Sequence, residues 1–257
     1  MFGSSLFAAQ PEARWELPPR LREISGLACT PDGRLMGHED ETATIFQFDV
    51  ETGAVVKRFS AGRPAVRGDF EGLAIDADGV FYLTTSKGQI YRFREGDDRS
   101  SVPFESFDTG MRSIAEVEGL TCQAAQYSVI IACKCNYSAA LQGALALYAW
   151  SPDNPERHAR PYLSIPLSPI AAAIGVRAFH ASSVEIDPRT GRIVVLAGPE
   201  NAMVELDAYG ELLAARHLGA LHSQAEGSAI LPNGALMIAD EGGRGRAHLA
   251  RYGRLDV

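Results

Sequence analysis

Acidic and hydroxyl residues recur at fixed distances before glycine along this chain, and that spacing could support chemistry. One position before each glycine, or before the serine that replaces it in one copy, stand Ser25, Glu71, Glu118, Ser182 and Glu226. Three positions before it stand Glu23, Asp69, Glu116, His180 and Gln224. Side chains two residues apart lie on the same face of a β-strand, so both sets can face one axis.

Carboxylates that converge on one point repel each other, so they must change their pKa values, pair with a cation or bind a metal ion. Oxygen-rich sites with several carboxylates suit Ca²⁺, and Mg²⁺ and Mn²⁺ are alternatives. The pattern therefore predicts a divalent-cation site with calcium as the first choice. The predicted ligands are Glu71, Glu118, Glu226, Asp69 and Glu116. Two alternatives stay open: an internal hydrogen-bonding network completed by Lys87 and Lys134, and a protonated carboxylate that acts as a general acid.

The glycine motifs mark five repeats, which start near residues 23, 69, 116, 180 and 224. The anchoring positions 26, 72, 119, 183 and 227 are 46, 47, 64 and 44 residues apart. Three of these steps match the ~40–50 residues of a four-stranded propeller blade. In each repeat, a β-prone strand precedes a turn and further strands. The longest step also has room for a short helical segment around 168–176.

The last repeat ends after its third strand, whereas the N-terminus offers an unpartnered strand at 13–17. A ring in which this strand completes the last blade removes exposed sheet edges. The sequence therefore predicts an all-β fold, a single β-propeller domain over 1–257 with four-stranded blades, five in the simplest count. A sixth, degenerate blade within 116–180 is an alternative, and a linear solenoid is the rival architecture.

The ends of the second strands should meet the carboxylates. Antiparallel pairing places the end of each second strand beside the start of the first strand, so these residues are expected at one mouth of the channel. They are His38–Glu41, Ser86–Lys87, Lys134 and Asp240–Glu241. We expect Lys87, Lys134, Asp240 and Glu241 to contact a ligand. The candidates for a general base are Glu23, His38 and His180.

Composition limits the class of protein. The chain has 257 residues, 46% of them hydrophobic, and a formal net charge of −8. This argues for a globular domain and against binding to nucleic acid or to an anionic membrane surface, since both need a basic surface. No apolar run is long enough to span a bilayer. The four cysteines are expected to be reduced, which favours a cytoplasmic location, or a secreted or periplasmic one if a signal segment is processed.

The motifs at 22–27, 68–73, 116–120 and 225–242 resemble those of the SdiA-regulated (YjiK-like) β-propeller family. The last stretch also resembles the phytase-like esterase propellers. The resemblance extends from about residue 20 to 253 and implies a propeller, with a divalent ion in the channel as an option. The chain departs from the family at Ser182 and Ser183, which replace Glu-Gly, so a complete ring of carboxylates is not implied.

Three functions follow from these patterns. The first is a binding propeller whose acidic channel holds a divalent cation and which recognises a small ligand or a protein at one mouth. The second is a calcium-dependent hydrolase of the phosphoesterase, phytase-like esterase or lactonase type, in which the metal polarises the scissile group and activates water. The third is a non-catalytic structural scaffold. The sequence does not indicate an oligomeric state.

Overall fold

A computed structural model describes residues 4–123 and 128–255 of the chain. Their strands, numbered in chain order, form five sheets that are the blades of a propeller. Strand β1 (Ala13–Glu16) precedes the first blade. Blade 1 contains β2 (Ile24–Cys29), β3 (Leu35–Glu39), β4 (Thr44–Phe48), β5 (Val55–Ala61) and β9 (Ser101–Val102). Blade 2 contains β6 (Phe70–Ile75), β7 (Val80–Thr85), β8 (Gln89–Arg94) and β10 (Phe104–Asp108).

The remaining blades follow the same antiparallel order. Blade 3 contains β11 (Ala115–Gln123), β12 (Ser128–Asn136), β13 (Ala144–Trp150) and β14 (Arg160–Pro166). Helix α1 (Leu167–Ile174) leads to blade 4, which contains β15 (Ser183–Ile186), β16 (Ile193–Ala197), β17 (Ala202–Leu206) and β18 (Leu212–His217). Blade 5 contains β19 (Ala225–Ile230), β20 (Leu236–Asp240), β21 (His248–Tyr252) and the N-terminal β1.

The first strand of each blade packs against the first strands of both neighbours, which closes the ring. Strand β1 pairs with β21 from Ala13 opposite Arg251 to Glu16 opposite His248, so the N-terminal strand completes the last blade. The predicted five-bladed propeller and its closure are confirmed. The six-bladed alternative is wrong, because the long third step contains α1 and loops.

Buried apolar residues fill the contact between each pair of neighbouring blades. Alternate side chains of one sheet face the preceding and the following blade, so each sheet is apolar on both faces. Leu6 and Phe7 of the N-terminal segment join the cluster between blades 4 and 5. Across the described ranges, no helix is long and apolar enough to cross a membrane. All four cysteines are free thiols.

The connection between β8 and β10 departs from the expected pattern. Ser101 and Val102 form β9, which is separate from β10 and pairs in parallel with β5 of the neighbouring blade. Arg34 of blade 1 donates two hydrogen bonds to the Glu95 carboxylate, at 2.6 and 2.9 Å, and Lys57 binds the same group. This connection therefore joins blades 1 and 2 outside the core.

Glycine is required where the first strands of neighbouring blades approach each other. A Cβ atom on Gly72 would lie 2.7 Å from the Leu120 nitrogen and 2.8 Å from the Glu118 oxygen, both backbone atoms of blade 3. In blade 4 the glycine is replaced by Ser183, whose hydroxyl lies 2.8 Å from that of Ser228 in blade 5. The other blades carry Leu or Val at the position of Ser228. The small Ser228 therefore makes room for Ser183.

Gly72→Ala should destabilise the ring by about 1–3 kcal/mol, because the added methyl group meets backbone that cannot rotate away. The control is Gly245→Ala, whose Cβ would have its nearest neighbour at 3.5 Å. The control should change the free energy of unfolding by no more than about 0.5 kcal/mol. Urea denaturation monitored by fluorescence measures both variants. Equal losses would contradict this packing of the first strands.

Candidate functional site

A bulge in the first strand of each of four blades directs the inner set of polar side chains. The pairing of first and second strands shifts at Ser25, Glu71, Glu118 and Glu226, which stand unpaired between two ladder positions. An extra residue of this kind turns its side chain out of the regular alternation. Glu71, Glu118 and Glu226 thereby come within electrostatic range of one another and of Lys134. We call these four residues the axial cluster.

One ammonium group serves the carboxylates of the axial cluster. Lys134 Nζ donates to Glu118 Oε1 at 2.8 Å and lies 3.8 Å from Glu116 Oε1. The Ser25 hydroxyl donates a longer bond of 3.3 Å to Glu71 Oε2. Glu118 is buried, and Glu71 and Glu226 are partly buried. Glu71 and Glu226 thus lie in a poorly solvated site, and neither forms an ion pair with Lys134.

This charge imbalance changes the protonation of the cluster. Burial, followed by the charge of Glu118, raises the pKa of Glu71 to about 8 and that of Glu226 to about 7. Burial alone would lower the pKa of Lys134, but the hydrogen bond and charge of Glu118 outweigh it, and the net shift is upward. At neutral pH, Lys134 is therefore charged, while Glu71 and Glu226 retain protons for part of the time.

The residues three positions before each glycine form a half-exposed rim around the cluster. Each has a polar partner from its surroundings: Glu23 with Arg22 at 3.0 Å, Asp69 with the Ser86 hydroxyl at 2.5 Å, Glu116 with Lys134, His180 with Glu200, and Gln224 with Glu241. Lys87 is exposed on the turn that follows β7. Of the predicted ligand contacts, Lys134 and Glu241 thus lie beside residues of the rim.

Glu200 was not predicted from the sequence. Its Oε1 lies 2.7 Å from His180 Nδ1, and its Oε2 accepts the backbone N–H of His180 at 2.9 Å. It stands in the turn after the second strand of blade 4, the location that already suggested Lys134 and Glu241. The same location in blade 4 could have indicated Glu200 as a contact at the mouth. The Gly198–Asn201 turn, however, carries no repeated motif that would mark it.

His38 is fully enclosed. Its Nδ1 donates to the carbonyl oxygen of Glu39 at 3.0 Å, and its Nε2 has no hydrogen-bond partner among the described residues. The ring lies over Gly26, where a Cβ atom would be 2.5 Å from Nε2. Burial lowers the pKa of His38 to about 4, so the ring is neutral. The unpartnered Nε2 of His38 therefore lies over Gly26, the residue that follows Ser25 in the chain.

Asp240 is placed inside blade 5 rather than at the surface of the mouth. It is 2% exposed, and its Oδ2 lies 2.6 Å from Nδ1 of the buried His222. The Tyr252 hydroxyl lies at hydrogen-bond distance from the other ring nitrogen of His222. This chain of three side chains ties the 218–224 loop to β20 and β21. Its neighbour Glu241 does reach the rim.

The carboxylates of the axial cluster and the rim are the donor set that a metal ion at the axis would use. A calcium site takes six to eight oxygen ligands at about 2.3–2.6 Å. Within the described ranges, no three His, Cys, Asp or Glu side chains are grouped closely enough to hold a metal ion. Lys134 already supplies positive charge at Glu118. The donor set as placed does not fit a calcium ion.

Comparison with known proteins finds the fold but no sequence family. No family model matches the chain, and no curated protein matches its sequence. Among solved structures, the glutaminyl cyclase of Myxococcus xanthus is similar, with 16% identity, 96% of this chain and 97% of that chain covered, and a TM-score of 0.60. The PQQ-bound aldose sugar dehydrogenase of Streptomyces coelicolor has 13% identity, coverage of 97% and 100%, and a TM-score of 0.59.

A luciferin-regenerating enzyme is also similar, with 9% identity, coverage of 96% and 98%, and a TM-score of 0.58. These proteins are named for unrelated activities, so the shared fold does not select a function. The chain is thus a β-propeller, while its resemblance to the SdiA-regulated family stays a prediction.

Glu71→Gln should change how stability depends on pH. The folded state keeps a proton on Glu71 between the ordinary pKa of 4.5 and about 8, where the unfolded chain has lost it. The free energy of unfolding of the wild type should therefore fall as pH rises through this window. The variant should show a smaller fall, measured as urea midpoints from acid to alkaline pH. Exposed Glu156→Gln is the control, and identical pH dependence in Glu71→Gln and wild type would refute the assignment.

Lys134→Met should destabilise the protein by about 1–3 kcal/mol, because it leaves a buried carboxylate without its donor. Glu118→Gln added to Lys134→Met removes that unpaired charge, so the double variant should recover at least half of the loss. Urea denaturation of the two single variants and the double variant gives the coupling energy. Additive losses would show that the two side chains do not interact as described.

Proposed function

We propose that this propeller is a binding protein whose axial cluster binds the primary ammonium group of a small ligand that enters at the rim. The observation that carries the proposal is the charge imbalance of the cluster, where Lys134 pairs with one of three carboxylates. A second ammonium group between Glu71 and Glu226 would restore both carboxylates to their charged form.

The chemistry of the cluster favours an ammonium group over a metal ion. Lys134 is an ammonium group bound by Glu118 Oε1 at 2.8 Å, so one carboxylate of the cluster already accommodates the size and donor geometry of this group. An ammonium group donates three hydrogen bonds and needs no regular shell of oxygen ligands. A hydrogen bond to a charged group contributes about 1.5–3 kcal/mol.

The rim supports the same ligand. Glu23, Asp69, Glu116 and Glu241 surround the entrance and outnumber its basic residues. A mouth with this excess of negative charge attracts cations and raises their association rate, and the effect weakens as salt increases.

Isothermal titration with Nα-acetyl-L-lysinamide tests the proposal, and Nα-acetyl-L-norleucinamide is the matched ligand without the charge. Binding of the lysine compound and no binding of the norleucine compound are expected. Glu71→Gln and Glu226→Gln should each weaken binding about 10- to 100-fold, by loss of one charge-assisted hydrogen bond. Glu156→Gln should bind like the wild type. Equal affinity for both compounds, or no binding of either, would refute the proposal.

Titration with CaCl₂ is the companion experiment, because calcium stays a prediction from the sequence. Calcium binding that is lost in Glu71→Gln, together with no binding of the lysine compound, would replace the ammonium proposal by the metal site. A protein that binds neither, and that loses only stability in Glu71→Gln, would instead support the structural scaffold.

A further inference from the structure

The three predicted candidates for a general base have different surroundings. Glu23 forms an ion pair with Arg22 at 3.0 Å. His38 is enclosed and cannot meet a substrate without a rearrangement of the blade. The His180 side chain is 39% exposed. Of these three residues, only His180 combines access from the mouth with a partner that orients its ring.

Glu200 fixes both the backbone and the ring of His180. One carboxylate oxygen accepts the backbone N–H at 2.9 Å and the other binds Nδ1 at 2.7 Å. The carboxylate is itself largely buried, with 13% of the side chain exposed. The hydrogen bond at Nδ1 leaves Nε2 as the ring nitrogen that is available to accept a proton. A carboxylate that orients histidine in this way is a recurring element of general-base catalysis.

The turn that carries Glu200 is itself held in place. Asn201 adopts a left-handed backbone conformation with φ of 50°. Its side chain donates to the carbonyl oxygen of Gly219 at 2.9 Å, and its backbone N–H donates to Gly198 at 3.0 Å. Such conformations cost energy and persist where the surroundings determine them. The position of the Glu200 carboxylate is therefore built into the fold.

We infer that His180 is the general base of an esterase activity at this mouth, with Glu200 as its positioning residue, and that the substrate is an ester bearing a primary ammonium group. This inference rests on the proposed function, since the axial cluster holds the ammonium group. The ester then lies at the rim, beside blade 4, where serine replaces the carboxylate found in blades 2, 3 and 5.

The chemical step needs only water as a second reactant. His180 Nε2 removes a proton from water while the water oxygen bonds to the acyl carbon. The bond between the acyl carbon and the alcohol oxygen then breaks, and the alcohol leaves with its electron pair. The proton on Nε2 passes to the leaving alcohol or to solvent, which regenerates the neutral imidazole. The products are a carboxylic acid and an alcohol.

His180 lies two residues before Ser182, the blade-4 counterpart of the axial carboxylates. A lysine ester joins a primary ammonium group to an acyl carbon through a flexible chain, so it is a suitable substrate for testing this arrangement.

The probe is the p-nitrophenyl ester of Nα-acetyl-L-lysine, and the matched ester of Nα-acetyl-L-norleucine lacks the ammonium group. Wild type should release nitrophenolate faster than buffer, with a higher kcat/KM for the lysine ester. His180→Gln should lower kcat about 100-fold or more with KM little changed, the usual range for loss of a general base. Exposed His158→Gln should keep full activity.

Two further variants separate a chemical role from a structural one. Added imidazole should restore activity to His180→Gly but not stimulate the wild type, because it replaces the missing base. Glu200→Gln should lower kcat by less than His180→Gln and leave KM little changed. Urea midpoints of all variants should be measured, so that a loss of activity through unfolding is recognised.

Hydrolysis no faster than buffer, or a rate that His180→Gln leaves unchanged, would overturn the inference. If Nα-acetyl-L-lysinamide still binds in that case, the failure belongs to the esterase activity and the proposed function stands. If the lysine compound does not bind and its ester is not preferred over the norleucine ester, the proposed function fails as well.

Discussion

The close approach of five first strands around one axis is the constraint on which the rest of the structure depends. Backbone of one blade lies so near the next that Gly72 has no room for a side chain. The bulge before each glycine gives the extra residue an unpaired position and turns its side chain out of the regular alternation of the strand. Ring closure by β1 fixes the approach from the outside. The position of the polar side chains at the axis therefore follows from the packing of the ring. The residue types at those positions decide what the axis can bind.

The axial cluster contains more carboxylates than cations, since Lys134 is its one ammonium group against three glutamates. Lys134 neutralises Glu118, while burial works against the charged forms of Glu71 and Glu226. Buried charges without partners lower the free energy of unfolding unless they are protonated or bound. The same groups that weaken the free protein can strengthen its complex with a cation. Blades 1 and 4 carry serine at the axial position, and in blade 4 Glu200 orients the ring of His180.

Sequence patterns were sufficient for the blade count, the closure by β1 and the convergence of the acidic motifs, because each depends on a repeat that recurs along the chain. Other features depend on single contacts and left no repeat. The bulges do not alter the alternation of residue types, so the sequence carries no sign of the extra residue in the first strands of four blades. The enclosure of His38 depends on space above Gly26, and the burial of Asp240 depends on His222 from a loop. The pairing of β9 with blade 1 is accompanied by the contact of Glu95 with Arg34, which no repeated motif marks.

The protonation of the axial cluster can be followed by NMR of the glutamate carboxyl carbons in uniformly ¹³C-labelled protein. The titration runs from about pH 4 to about pH 9, so it includes the ordinary glutamate pKa of about 4.3. Two carboxyl groups should titrate well above the others, near the pKa values of about 8 and about 7 that burial imposes on Glu71 and Glu226. Each signal should vanish in the corresponding glutamine variant, and both should move to lower pH when Nα-acetyl-L-lysinamide is added. Titration of every glutamate in the ordinary range would contradict a shared, poorly solvated cluster at the axis.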